Sequence, residues 1–347
     1  MKKIKINDFE ISESSRPYVI AEVSGNHNGS IEKAKELIQI AKDSGADAVK
    51  LQTYTADTLT IDSDNSDFLI EGGLWDGKTL YELYEWAHTP WSWHKELFDK
   101  AKEIGITIFS SPFDESAVDF LEELNVPAYK IASFEAVDIP LIEYVASKNK
   151  PIILSTGMAN LEEINDAVTA IEKYHQNYVL LHCVSGYPTP ADQTNLKTIV
   201  DMKSRFNCLI GLSDHTLGNT TAFVGIALGA RVIEKHFTKS REEKGPDSAF
   251  SLEPKELKQL CQESKAAWES LGSAGYERKK VEQTSLKFRR SIYFTEDIKQ
   301  GEVITKSNTR RIRPGYGLSP KYYNDILGHK VKYDIKRGTP VDRDAID

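Results

Sequence analysis

The 347-residue sequence predicts an α/β fold: a (β/α)8 TIM barrel followed by a small second domain. Eight short apolar runs, each ending in polar residues, alternate with amphipathic stretches. The segment after the first run lacks the glycine-rich turn of a dinucleotide-binding sheet. Past Gly272 the chain turns polar and then breaks into short strand-like pieces.

The strand expectations are residues 18–23, 48–52, 107–111, 128–132, 152–155, 179–183, 209–212 and 231–236. Between them, residues 31–44, 94–104, 116–124, 161–174 and 220–228 carry apolar side chains near a 3.6-residue period, which predicts helices. Gly45, Gly105, Pro127, Pro151 and Gly229 stand between a helix and the next strand, where a helix has to stop. A helix over 254–271 closes the set. The competing open sheet would place a Gly-x-Gly-x-x-Gly turn after the first strand, and Ser24-Gly-Asn-His-Asn-Gly29 stands there instead. Residues 55–89 form a long insertion after the second strand, at the face where barrels build their sites. The expected division is a barrel over 1–272, a linker over 273–288 and a small domain over 289–347, with strand pieces at 291–294, 301–302, 309–312, 330–333 and 337–338.

A net charge of −8 argues against nucleic acid as a partner, while leaving room for a small anion in a local basic pocket. The first 15 residues lack the apolar stretch of a signal peptide, and no run of 18 apolar residues suggests a membrane span. Three cysteines, Cys183, Cys208 and Cys261, read as free thiols of a cytoplasmic protein.

Barrel chemistry gathers at the carboxyl ends of the strands, and here every strand ends in polar groups. In order they are Glu22; Lys50 and Gln52; Ser110 and Ser111; Lys130, Ser133 and Glu135; Ser155, Thr156 and Gly157; Ser185 and Tyr187; Ser213, Asp214 and His215; Glu234 and His236. A purely structural barrel does not need that. Lys50 and Lys130 interrupt apolar strands, and a buried ammonium is costly without an anionic partner. Turned outward, each would instead pair with a helix carboxylate. Neighbouring hydroxyls could donate to phosphate and carboxylate oxygens. His215 and His236 end adjacent strands and could share a divalent cation, although a strand-end histidine is often a hydrogen-bonded core group. Cys183 reads as structural.

Taken together, Glu22-Val-Ser-Gly-Asn-His-Asn-Gly29, Lys130-Ile-Ala-Ser-Phe-Glu135, Ser155-Thr-Gly-Met158, Tyr187-Pro-Thr-Pro190, Gly211-Leu-Ser-Asp-His-Thr216, Glu234-Lys-His-Phe237 and Gly245-Pro-Asp247 resemble the sialic acid synthase family. The segment with Arg313-Pro-Gly-Tyr-Gly-Leu318 resembles the antifreeze-like (SAF) domain of these enzymes. The resemblance implies that Lys50, Ser111, Lys130, Ser133, Ser155, Ser185 and Ser213 hold phosphoenolpyruvate, with serine at 185 where members often carry asparagine. It implies manganese or magnesium, or cobalt, on His215 and His236, which together with Glu22 and Glu135 form the catalytic set. It places Glu22, Gln52, Tyr187, Asp247 and Arg313 around an N-acetylated amino sugar, with Glu135 near the reacting carbons. It also implies a domain-swapped homodimer, in which Arg313 reaches the partner's site.

The aromatic insertion, Phe68-Leu-Ile-Glu-Gly-Gly-Leu-Trp-Asp76 with Leu80-Tyr-Glu-Leu-Tyr-Glu85 and Thr89-Pro-Trp-Ser-Trp-His94, resembles the pseudaminate-forming branch rather than the N-acetylneuraminate branch. It would wall a pocket for a 6-deoxy carbon, or else only pack on the barrel. The implied reaction joins phosphoenolpyruvate, sugar and water and releases phosphate by C–O cleavage, with Glu22 or Glu135 as base. A manno-configured sugar of the neuraminate or legionaminate type, a Schiff-base aldolase using Lys130 or Lys50, and a sugar-binding module are the other readings.

Overall fold

In the computed structural model, which describes residues 2–347, eight parallel strands close on themselves in chain order. An antiparallel hairpin comes first, β1 (Lys3–Ile6) with β2 (Phe9–Ser12). The barrel follows as β3 (Tyr18–Glu22), β4 (Ala48–Thr53), β5 (Thr107–Pro112), β6 (Tyr129–Ile131), β7 (Ile152–Ser155), β8 (Tyr178–Cys183), β9 (Leu209–Ser213) and β10 (Val232–His236). Closure pairs Val232 with Tyr18 and His236 with Glu22.

Helices Ile31–Ser44, Trp91–Ile104, Glu115–Glu123, Ile139–Ser147, Leu161–Glu172, Lys197–Arg205, Thr220–Leu228 and Pro254–Leu271 follow the eight strands in turn. The first shows how the sequence sets its ends. The Ser30 side chain accepts from the Lys33 N–H, and Gly45 stops the helix in the left-handed region at φ 91°. Between those ends Ala34, Leu37, Ile38 and Ala41 form the buried stripe against the sheet.

Strand alternation then decides which side chains enter the barrel. Val19, Val49, Ile131 and Leu180 face outward into the layer beneath the helices. Tyr18, Ile20, Ala48, Phe109, Ile153 and Val232 fill the lower interior, together with Ile4, Ile6 and Ile11 of the hairpin. The hairpin is the barrel's floor. The expectations for the first 15 residues contained no strands, because two four-residue strands carry too short a pattern to read as alternation.

The insertion over 55–89 holds short helices, the last being Leu80–Ala87, capped reciprocally by Thr79 and Glu82. The chain divides into two units, 1–272 and 273–347. In the second, β11 (Ser291–Phe294) pairs antiparallel with β12 (Thr309–Ile312) over a small core of Ile292, Phe294, Ile304, Val331 and Val341. The other expected pieces are not strands. Gly301 and Gly338 take φ of 80° and 86°, which turns the chain and cannot continue a strand. Residues 330–333 contribute only isolated bridges, Val303 to Lys330 and Val331 to Ile346. Within the expected linker, Lys280–Phe288 winds into 3-10 turns. No helix among the described residues is long and apolar enough to cross a membrane, and the three cysteines are unpaired.

Candidate active site

The alternation that buries Ile20 and Ala48 at the floor carries Glu22 and Lys50 into the mouth, two residues further along each strand. Lys50 and Lys130 are 3% and 1% exposed, so both ammonium groups lie inside the barrel. Their partners are two carboxylates. Lys50 Nζ lies 3.0 Å from Glu22 Oε2 and 3.5 Å from Glu234 Oε1, and Lys130 Nζ lies 3.9 Å from that same Glu234 oxygen. Lys50 also donates to Ser111 Oγ at 3.3 Å, and Ser213 Oγ donates to Glu234 Oε1 at 3.4 Å. Ser155 Oγ is buried with no hydrogen-bond partner, a donor left over in a polar cluster.

Burial lowers Lys130 to about 8, and it works against the Glu234 carboxylate, which Lys130 and Lys50 nevertheless hold below its ordinary pKa. Glu22 is lifted to about 7, by burial first and against the pull of Lys50. Burial thus favours the neutral form of Glu22, while the two lysines hold Glu234 ionised. A pair of buried ammonium groups only partly answered by carboxylate is the electrostatic condition for an anionic ligand.

Two of the expected anion contacts sit apart from this cluster. Ser185 Oγ donates to Ser133 Oγ at 3.0 Å, and neither hydroxyl bonds to a lysine. Gly157 lets them approach: a Cβ there would lie 2.5 Å from Ser133 Cβ and 2.9 Å from Ser185 Oγ. Ser110 points outward, bonded to Thr53 at 2.6 Å. Lys235 also points outward, paired with Asp214 at 2.9 Å.

His215 and His236 meet at the mouth with ring centroids 5.4 Å apart, and Tyr187 lies against His215 at 4.5 Å. His215 Nδ1 is 2.9 Å from the Val184 carbonyl, which only accepts, so Nδ1 carries the proton and Nε2 is free to ligate. His236 is held well below the ordinary histidine pKa, above all by burial, and its Nδ1 is buried without a hydrogen-bond partner. Asp247 Oδ2 lies 3.7 Å from that nitrogen. A pair of ligating nitrogens beside a buried carboxylate fits a divalent cation. No group of three or more His, Cys, Asp or Glu side chains set to hold a metal occurs among the described residues, so water or substrate would complete the coordination.

Beside the histidines opens a cavity of about 420 Å³ with two kinds of wall. Ile70, Trp75, Leu80 and Leu83 of the insertion line one side, and Ser24, Gln52, Asp247, His236 and Glu135 line the other. The Trp75 indole N–H donates to the Pro246 carbonyl at 3.0 Å, which fastens the insertion to the loop that carries Asp247. Glu135 Oε2 is buried without a partner, and burial pushes this carboxyl up to about 7. Arg313 belongs to the second unit, exposed just past β12. Sequence reasoning placed Glu234 among the strand-end groups without giving it a role, and gave none to Ser24. Glu234 was readable, since it stands two residues before His236 on one strand and so shares its face. Nothing local marks Ser24.

Residues 37–276 match the NeuB family, and residues 289–347 match the SAF domain. A pseudaminic acid synthase of Campylobacter jejuni subsp. jejuni serotype O:2 is 45% identical over 322 residues, covering 92% of this chain and 94% of that protein. The pseudaminic acid synthase of Helicobacter pylori is 43% identical over 336 residues, covering 95% and 98%. The crystal structure of an N-acetylneuraminic acid synthetase from Leptospira borgpetersenii serovar Hardjo-bovis, in complex with citrate, aligns at 32% identity with a TM-score of 0.74, over 83% of this chain and 96% of that one. With the family match spanning most of the barrel unit and relatives at 43–45% identity over more than nine-tenths of its length, the chain belongs to the NeuB family.

Proposed function

We propose that the chain is a pseudaminic acid synthase, condensing phosphoenolpyruvate with 2,4-diacetamido-2,4,6-trideoxy-L-altrose and water to give pseudaminate and phosphate. The observation that carries this reading is the juxtaposition of two chemistries. A buried cluster of two lysines and several hydroxyls opens beside a cavity with one apolar wall. The first suits phosphoenolpyruvate. The second suits a deoxy sugar with acetamido methyls, and the relatives at 43–45% identity carry the corresponding name.

Lys50 and Lys130, with the Ser111, Ser155 and Ser213 hydroxyls, bind the phosphate and carboxylate and stabilise charge as the phosphate departs. Ser133 and Ser185, bonded to each other apart from the lysines, would reach the same anion from the rim. His215 and His236 would hold a divalent cation, manganese or magnesium, which when bound polarises the sugar aldehyde as a Lewis acid. C3 of phosphoenolpyruvate bonds to the aldehyde carbon, water adds at C2, and the C2–O bond to phosphate then breaks. We assign the proton transfer to Glu135. Its Oε2 is unpartnered, it lines the cavity, and its pKa near 7 suits a base at neutral pH. Glu22 accepts from Gln52, is ion-paired with Lys50 at 3.0 Å and does not line the cavity, so it balances charge instead. Tyr187 and Asp247 orient the sugar beside the histidines.

Phosphate release from phosphoenolpyruvate, with and without chelator, tests the reading. Three sugars are offered: the altrose, N-acetylmannosamine, and 2,4-diacetamido-2,4,6-trideoxy-D-mannose. Release with the altrose alone, abolished by chelator and restored by manganese, is expected. Preference for a manno sugar would turn the assignment to a legionaminate or neuraminate synthase. Oxygen-18 in the bridging position of phosphoenolpyruvate is expected in the released phosphate, as C–O cleavage requires. The same proposal includes a cytoplasmic homodimer in which Arg313 of one chain serves the sugar site of the other. Mixing inactive Arg313→Ala and Lys130→Ala chains is then expected to restore part of the activity. No restoration would place Arg313 in its own chain's site or outside the chemistry.

A further inference from the structure

Ser24 combines a costly backbone with a hydroxyl engaged as donor and acceptor at once. It follows β3 in the left-handed region at φ 47°, where a Cβ is disfavoured and glycine would relax the chain. It is buried, and its hydroxyl donates to Asp247 Oδ2 while accepting from Gln52 Nε2 at 3.1 Å. The other Gln52 amide hydrogen goes to Glu22 Oε1 at 2.8 Å. Gln52 Nε2 thus gives one hydrogen to Glu22 and the other to Ser24. With both hydrogens committed, Gln52 is held in one orientation with its carbonyl oxygen left to offer. Asp247 is held by the same hydroxyl from the other side. All three residues line the 420 Å³ cavity.

We propose that Ser24 is a positioning residue for the amino sugar. Its hydroxyl locks the Gln52 carbonyl and the Asp247 carboxylate as a pair of acceptors for O–H or N–H donors on the substrate. The inference rests on the reading of this cavity as the sugar site. A hydroxyl that served only its own turn would bond to nearby backbone. This one reaches two side chains on different strands and loops, one of them 223 residues away in sequence. The strained backbone fits a residue kept for what its side chain does.

The test is Ser24→Gly, which suits the left-handed backbone and removes only the side chain. Kinetics are run with whichever of the three sugars the wild-type enzyme consumes. A rise of about tenfold or more in KM for the sugar is expected, with KM for phosphoenolpyruvate within about twofold and thermal stability unchanged or higher. Ser24→Ala keeps the Cβ, guards against a folding defect in the glycine variant, and is expected to show the same split. Wild-type KM for the sugar in Ser24→Gly overturns the proposal, and so does an equal rise in both KM values, which would mark a general structural role. A wild-type enzyme that releases no phosphate with any of the sugars instead defeats the functional reading, and the sugar assignment of Ser24 with it.

Discussion

Two residues along each strand separate the floor of the barrel from its mouth: Ile20 from Glu22, Ala48 from Lys50, Phe109 from Ser111, Ile153 from Ser155 and Val232 from Glu234. The floor is apolar, sealed by Ile4, Ile6 and Ile11, and gains from removing that surface from water. The mouth sets two lysines against two carboxylates, an arrangement in which desolvation offsets most of the attraction. Stability and chemistry thus occupy successive layers of the same strands, and a substitution should disturb one while sparing the other.

The largest effect is expected at the mouth. Lys130→Met replaces an ammonium by a side chain of similar length, and kcat/KM for phosphoenolpyruvate is expected to fall by roughly 10³-fold. The unfolding midpoint should move little, because Lys50, 3.5 Å from the same Glu234 oxygen, stays to balance that carboxylate. Steady-state kinetics beside calorimetry would check this, and a Tm loss as large as the activity loss would break the separation. At the floor the reverse is expected. Phe109→Ala should cost about 3–5 kcal/mol in denaturant unfolding while turnover per folded molecule stays near wild type.

A somewhat smaller effect concerns Glu135, whose folded pKa of about 7 lies above its ordinary value of 4.5. Below pH 4.5 the carboxyl is protonated whether the chain is folded or not, and burial costs nothing. As pH rises through 7 the folded state has to hold a buried charge, and stability is lost. Glu135→Gln escapes that loss. It is expected to be more stable than wild type by up to about 3 kcal/mol at pH 8 and by much less at pH 5, read as the difference between paired urea unfolding curves. A difference independent of pH would show the carboxyl to be better solvated than its surroundings suggest. The smallest effect is expected at the rim. Trp75→Phe keeps the apolar wall but removes the N–H that bonds to Pro246, and KM for the sugar should rise about three- to tenfold.

Much of the mouth was legible in the sequence. Lysines that interrupt apolar strands stand out against a period of two, and alternation sends Lys50, Gln52, Ser111, Lys130, Ser155 and His236 to the same side as the apolar floor residues. The partnerships were not legible. Glu234 answers both lysines from a strand 104 or more residues away, a contact without local pattern. The Ser133–Ser185 pair depends on the close approach at Gly157, and the strain at Ser24 depends on where Gln52 and Asp247 come to rest. The hairpin floor was missed because its strands are four residues long and find their apolar partners only in the closed barrel.

That floor also orders events during synthesis. The hairpin leaves the ribosome before every barrel strand, yet β3 above it awaits β10, more than 200 residues later, before the cylinder can shut. Until then Ile4, Ile6 and Ile11 have no finished cavity to enter, and closure at so long a sequence separation is slow. A bulky fusion at the amino end would therefore burden assembly more than turnover, whereas the same fusion at the carboxyl end would leave barrel closure alone.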